Sequence, residues 1–280
     1  MVTGANSGIG KETAVKLAGM GATVILVCRN RAKGERAMAD IKEKGHSDAV
    51  ELLFADFTSL ASIRGLTREF EEGHDSLNVL VNNAGGARLG RSVTIDGFET
   101  NFQVNYLSHF LLTNLLLEEL KKGAPSRVVN VSSEAHYGGH LDFGDLQMEK
   151  NYGVMKAYGQ AKLALVLFTY ELARRLGETG VTVNCLHPGV VATNIWGNAM
   201  GPFAFLGKIS RLFMISPERG AETSVYLASS PEVEGVTGKY FERKQEKRSS
   251  ADSYDRALAE RLWDTSAALV GLGEASPEPS

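Results

Sequence analysis

The chain has 280 residues, 43% of them hydrophobic and 22% charged, and a formal net charge of −3. That is enough apolar sequence for a sizeable core, and it lacks the basic surplus by which a nucleic-acid binder is recognised. Cys28 and Cys185 stand in separate apolar runs and read as buried small hydrophobes, and no zinc-ligand spacing occurs, so neither a disulfide nor a metal is expected. No apolar run reaches the roughly 18 residues of a membrane span, and a glycine-rich turn stands at Gly4, where a signal peptide needs its apolar core. These features predict a soluble, cytoplasmic protein.

In chain order, two periodicities alternate. Only Met1 and Val2 precede the turn Thr3-Gly4-Ala5-Asn6-Ser7-Gly8-Ile9-Gly10, so the first strand is either very short or lacks its natural start. Apolar residues at helical spacing follow over 11–20. Short β-branched or aliphatic runs mark strands at 23–27, 50–54, 77–81, 127–131 and 181–186. Amphipathic stretches predict helices at 31–44, 59–70, 97–120 and 156–176. The alternation implies a parallel sheet with helices on both faces, and right-handed crossovers make it a doubly wound, Rossmann-type α/β fold. No repeat and no linker divides the chain, so 1–272 reads as a single domain. Residues 273–280, small, acidic and proline-containing, read as a disordered tail.

Three features at strand ends carry chemistry. The glycine turn lets backbone approach a pyrophosphate, with the following helix offering free N–H groups, so Gly4, Asn6, Ser7, Gly8, Ile9 and Gly10 are candidate cofactor contacts. About 20 residues on, where an acid would bind a free ribose 2′-hydroxyl, the chain has Arg29 and Asn30. A guanidinium there suits a 2′-phosphate and predicts NADP(H). Third, Tyr158 and Lys162 share a face at the start of a helix, and Ser132-Ser133 ends the strand before it. Alternation in a strand lets only one of the two serines face the cleft. His136 and His140 read as loop or substrate-wall residues.

Together with Asp56, the run Asn82-Asn83-Ala84-Gly85, Asn105 and Pro188-Gly189, these motifs resemble the short-chain dehydrogenase/reductase family over nearly the whole chain up to about Tyr240. The stretches at 28–30, 105–113 and 135–146 are similar to its retinol dehydrogenase-like branch. The resemblance implies an NADP(H)-dependent enzyme that interconverts an alcohol and an aldehyde or ketone, with a lipophilic substrate. It assigns proton transfer to Tyr158, tuning of its pKa to Lys162, substrate orientation to Ser133 and a water link to Asn105. It also extends the expected cofactor site to Asp56, Phe57, Asn83, Ala84, Gly85, Pro188, Gly189, Val191 and Thr193, with Tyr158 and Lys162 shared. Residues 195–215, rich in aromatics and methionine and broken by glycines, are expected to form a substrate lid that could graze a membrane surface. The helices at 97–120 and 156–176 could pair two copies in a homo-oligomer. The competing readings are a non-catalytic NADP(H)-binding regulator and an epimerase or dehydratase on the same scaffold.

Overall fold

A strand covered on both faces reads as a near-continuous apolar run, and the strand β2 (Val24–Cys28) is apolar and buried at every position. The computed structural model describes residues 1–88, 90–189 and 215–273. It contains β1 (Val2–Thr3), β2, β3 (Val50–Phe54), β4 (Val79–Asn82), β5 (Ser126–Val131), β6 (Val181–His187), β7 (Lys239–Glu242) and β8 (Gln245–Lys247). They form one sheet in the order β3-β2-β1-β4-β5-β6-β7-β8. All neighbours are parallel except β7 and β8. The order reverses between β1 and β4, which opens a crevice at the C-terminal ends of those strands.

The short first strand is at the centre of this sheet. Gly4 N–H donates to Val27 O and Val81 N–H to Met1 O, both at 2.9 Å, so the ladder runs past its two residues on either side. Two apolar layers cover the sheet. On one face lie α1 (Gly8–Gly19), α2 (Arg31–Gly45) and α8 (Pro217–Ser229), through Leu17, Ile41 and Leu227. On the other lie α3 (Leu60–Gly73), α5 (Ser108–Leu115), α7 (Val154–Leu176) and α9 (Arg256–Leu269), through Phe70, Phe110, Phe168 and Leu262.

The helix expected over 97–120 is instead segmented. It begins at α4 (Thr100–Phe102), because the Glu99 carboxylate accepts the Phe102 N–H at 2.8 Å and caps it. A π-helical turn, Gln103–Leu107, leads into α5, and α6 (Leu117–Lys122) follows. The last helix, α9, covers the outer faces of α5 and α7. Trp263 stacks on Phe168 at 5.8 Å and meets Phe110 edge-on at 5.1 Å, and the Tyr106 hydroxyl bonds Ser266 at 2.7 Å. Both thiols are buried and free, as expected. Among the described residues no helix is long and apolar enough to cross a membrane.

Candidate active site

The C-terminal edge of the sheet gathers the residues singled out in the sequence. At the glycine turn the backbone is pressed against the end of β4. Gly4 has φ +66°, and a Cβ there would stand 2.9 Å from Ala84 Cα. A Cβ on Gly10 would stand 2.4 Å from Asn83 Nδ2 and 2.6 Å from Gly4 O, so neither position tolerates a side chain without displacement. Thr3 fixes this packing. Its hydroxyl accepts the Asn83 and Ala84 N–H groups at 2.8 and 2.9 Å, and its carbonyl accepts Asn83 Nδ2 at 2.8 Å. The start of α1 has no side-chain cap at Ser7 and no acid in its first turn, so its positive end is open to an anion. A cradle of this kind fits a dinucleotide pyrophosphate.

At the adjacent strand ends, the Arg29 guanidinium lies 3.8 Å from Asp56, with 61% of its side chain exposed. Asp56 also accepts the Thr58 N–H at 3.0 Å. Asn30 has a structural duty, since its side chain accepts the Lys33 N–H at 3.0 Å and caps α2. Phe57 is placed in the core, 4.9 Å from the His109 ring, with its side chain away from solvent. Pro188 and Gly189 follow β6 at the same edge and are half-buried. Val191, Thr193 and all of the expected lid over 195–215 except Ile215 lie outside the described residues.

The two serines part as the alternation requires. Ser132 is buried and its hydroxyl donates to Lys162 O at 3.1 Å. Ser133 is half-buried, and its hydroxyl accepts the Ala135 N–H at 3.2 Å; burial pushes the Tyr158 pKa above its ordinary 10, and the neighbouring Ser133 hydroxyl works against that shift. Lys162 Nζ lies 5.6 Å from the Tyr158 ring centre and donates to Val131 O at 2.8 Å. The side chain is almost wholly enclosed, and burial lowers its pKa from 10.5 to about 7.

Asn105 stands in the π-helical turn. Its amide donates to Gly86 O and Asn101 O, each at 3.0 Å, and accepts the Gly86 N–H at 2.9 Å. A Cβ on Gly85 would stand 2.5 Å from Asn105 Oδ1 and 3.7 Å from Lys162 Nζ, so these two side chains flank Gly85 together. A water held between them would have only the second lone pair of Oδ1 to use on the Asn105 side.

Thr3 and Gly86 were not singled out as site residues in the sequence, although Thr3 opens the glycine turn and Gly86 follows Gly85. His136 is buried directly behind Ser133, so it does not line the substrate wall, whereas His140 is exposed. Among the described residues no cluster of His, Cys, Asp and Glu could hold a metal ion.

Known proteins are similar to this chain in sequence and in fold. The family model for short chain dehydrogenase matches residues 1–200. The chain is 48% identical to the protein named retinol dehydrogenase 13 from Mus musculus, an alignment that covers 100% of this chain and 85% of the relative. Among solved structures it is similar to an uncharacterised protein from Mycobacterium paratuberculosis, at 34% identity and a TM-score of 0.77, covering 96% of this chain and 91% of that one. It is also similar to an actinorhodin polyketide ketoreductase solved with NADPH, at 25% identity and a TM-score of 0.68, covering 86% and 93%. With a glycine cradle, a Ser–Tyr–Lys group at one sheet edge and a matching family model over more than two thirds of its length, the chain belongs to the short-chain dehydrogenase family.

Proposed function

We propose that this oxidoreductase of alcohol–carbonyl pairs uses NADP(H) and acts on a lipophilic substrate. The observation that carries the reading is the convergence of Ser133, Tyr158 and Lys162 at the sheet edge beside the glycine cradle. When bound, NADP(H) gives or takes the hydride. The cradle at Gly4–Gly10 holds its pyrophosphate, and Arg29 is the partner for a 2′-phosphate. Tyr158 passes a proton to the developing alkoxide in reduction and removes the alcohol proton in oxidation. Ser133 orients the substrate oxygen through its hydroxyl, and Lys162, when protonated, would favour the Tyr158 phenolate against the burial that raises its pKa. Asn105 holds the Gly85–Gly86 backbone beside Lys162.

The lipophilic substrate is supported by the relative named retinol dehydrogenase and by the apolar composition of 195–215. The cytoplasm is the location proposed with it, together with peripheral membrane contact through the same segment. Homo-oligomers are proposed to form away from α5 and α7, whose outer faces α9 occupies. A non-catalytic regulator has no observation in its favour, since such a protein has no use for a tyrosine beside a buried lysine at the end of a serine-bearing strand.

The test is NADPH consumption over straight-chain aldehydes of increasing length. Each buried methylene is worth about 0.8 kcal/mol, so kcat/KM should climb by up to roughly fourfold per carbon. Tyr158→Phe should lower turnover by about 10²-fold or more while NADPH still binds. A flat series refutes the lipophilic site, and near-normal turnover of Tyr158→Phe refutes the proton-transfer assignment.

A further inference from the structure

The backbone around Ser133 lies just past the end of the sheet. The last ladder bond on this strand is Ser132 N–H to Leu186 O at 2.8 Å. The next peptide, joining Ser133 to Glu134, is gripped on both sides by imidazoles. Its carbonyl accepts His136 Nδ1–H at 2.6 Å, and its N–H donates to His187 Nδ1 at 3.3 Å.

The surrounding bonds fix which nitrogen carries the proton in each ring. His136 Nε2 accepts the Ser250 N–H at 3.2 Å. A backbone N–H can only donate, so Nε2 is bare and the proton is on Nδ1, where the Ser133 carbonyl needs it. His187 is the converse case. Its Nδ1 accepts, so its proton is on Nε2, which lies 3.7 Å from the Glu134 carboxylate. Both rings are buried, and His136 is packed 4.1 Å from the Tyr137 ring and 4.8 Å from that of Tyr240. Through Ser250 the clamp also ties the turn to the segment after β8.

The direction of a serine hydroxyl follows its backbone. Ser133 is extended, with φ −163° and ψ 156°, at the start of a 3₁₀ turn over Glu134–Gly138. Beyond the ladder the turn itself supplies two bonds, His136 N–H to Ser133 O at 3.1 Å and Ala135 N–H to Ser133 Oγ at 3.2 Å, and the two imidazoles are the side chains that fix the 133–134 peptide from outside it. We propose that His136 and His187 are positioning residues that clamp this peptide and thereby aim the Ser133 hydroxyl at Tyr158. The proposal rests on the role given to Ser133 above.

The test measures turnover and NADPH affinity for His136→Asn, His136→Leu and His187→Leu, each alone and in a Ser133→Ala background. Asn retains an N–H donor at the place of Nδ1, and Leu does not. Misplacing a reacting group is costly, so the Leu variants should lose about tenfold or more in kcat, with His136→Asn recovering most of it. NADPH affinity should stay within about twofold, because the cradle is untouched. In the Ser133→Ala background the Leu changes should lower the residual turnover no further, since the group they aim is gone. An equal loss in both backgrounds marks a merely structural role and overturns the clamp, as does full turnover of His136→Leu. If the Leu variants do not fold, His136→Gln replaces them: it reaches towards Ser250 without a donor at Nδ1, and turnover equal to that of His136→Asn overturns the proposal. Wild-type turnover of Ser133→Ala refutes the role of the serine itself, whereas an impaired Ser133→Ala enzyme with an indifferent His136→Leu refutes the clamp alone.

Discussion

Replacing Lys162 with Met should abolish turnover and yet stabilise the cofactor-free protein at neutral pH. Lys162 is 4% exposed, and its ammonium keeps one protein hydrogen bond, to Val131 O. Burial takes its pKa from 10.5 to about 7. At about 1.36 kcal/mol for each factor of ten, enclosing the charged form costs on the order of 4–5 kcal/mol. The sign follows from proton counting. The folded pKa lies below the unfolded one, so between pH 7 and 10.5 the unfolded chain holds more protons and stability rises with pH. The lysine's full contribution is present above 10.5 and is lost as the pH falls to about 7. Methionine has no such proton, but it leaves the Val131 carbonyl unpaired, at about 1–3 kcal/mol. The net gain near pH 7 is then roughly 1–3 kcal/mol, and it should shrink by about 2 kcal/mol on going to pH 9. Cys28 and Cys185, which burial pushes up to about 11 and about 12, are common to both proteins and cancel in the difference. Denaturant unfolding of both cofactor-free proteins at pH 7, 8 and 9 measures it. A difference that does not change with pH would refute the reasoning.

Arg29→Asp should narrow the preference for NADPH over NADH by tenfold or more, since a charge-assisted bond is worth about 1.5–3 kcal/mol; unchanged relative affinities remove Arg29 from the site. Trp263→Ala should cost roughly 2–3 kcal/mol in denaturant unfolding, less than a fully buried ring, because it strips the cover from Phe110 and Phe168. A loss within experimental error would mean that α9 does not pack there. The Tyr240 hydroxyl is buried with no hydrogen-bond partner among the described residues, so Tyr240→Phe should be neutral or stabilising by about 1 kcal/mol. Marked destabilisation would point to a partner for that hydroxyl.

The sheet was legible where strands are covered on both faces. Val24–Cys28 is apolar at every position and announces itself by composition, and Val181–His187 does so through Val181, Val183, Cys185 and Leu186. The last two strands do not announce themselves. Gln245–Lys247 is the edge strand, where charged residues are tolerated and serve to discourage further pairing, and Lys239–Glu242 beside it has only Tyr240 and Phe241 as an apolar signal. Ser216-Pro217 marks a helix start in the sequence, and the Ser216 hydroxyl accepts the Arg219 N–H at 3.4 Å. Helix α9 lies beyond the stretch that carries the resemblance, which stops near Tyr240, and its only sequence signal is the helical spacing of Leu258, Leu262 and Trp263.

Within the site, legibility divides by whether a residue's task depends on its own chemistry or on its neighbours. The spacing of Tyr158 and Lys162 puts both side chains on one helical face, and the family resemblance adds proton transfer to it; a glycine turn at a strand–helix junction points to an anion. Thr3, Asn105 and the two histidines act through backbone groups that the fold brings from 19 to 114 residues away. Asn82 and Asn130 belong with them. Their buried amides join β4 to β5 at 2.8 Å, with Thr113 of α5 accepting from Asn82 and Thr169 of α7 from Asn130. Each of these polar groups would cost several kcal/mol if left unpaired in so apolar a layer, so the strands and helices that carry them are held in one register. That register sets Asn83 against the glycine cradle on one side and Ser133 against Tyr158 on the other. A network of this kind has no linear signature, since each member is an ordinary asparagine or threonine until its partner arrives.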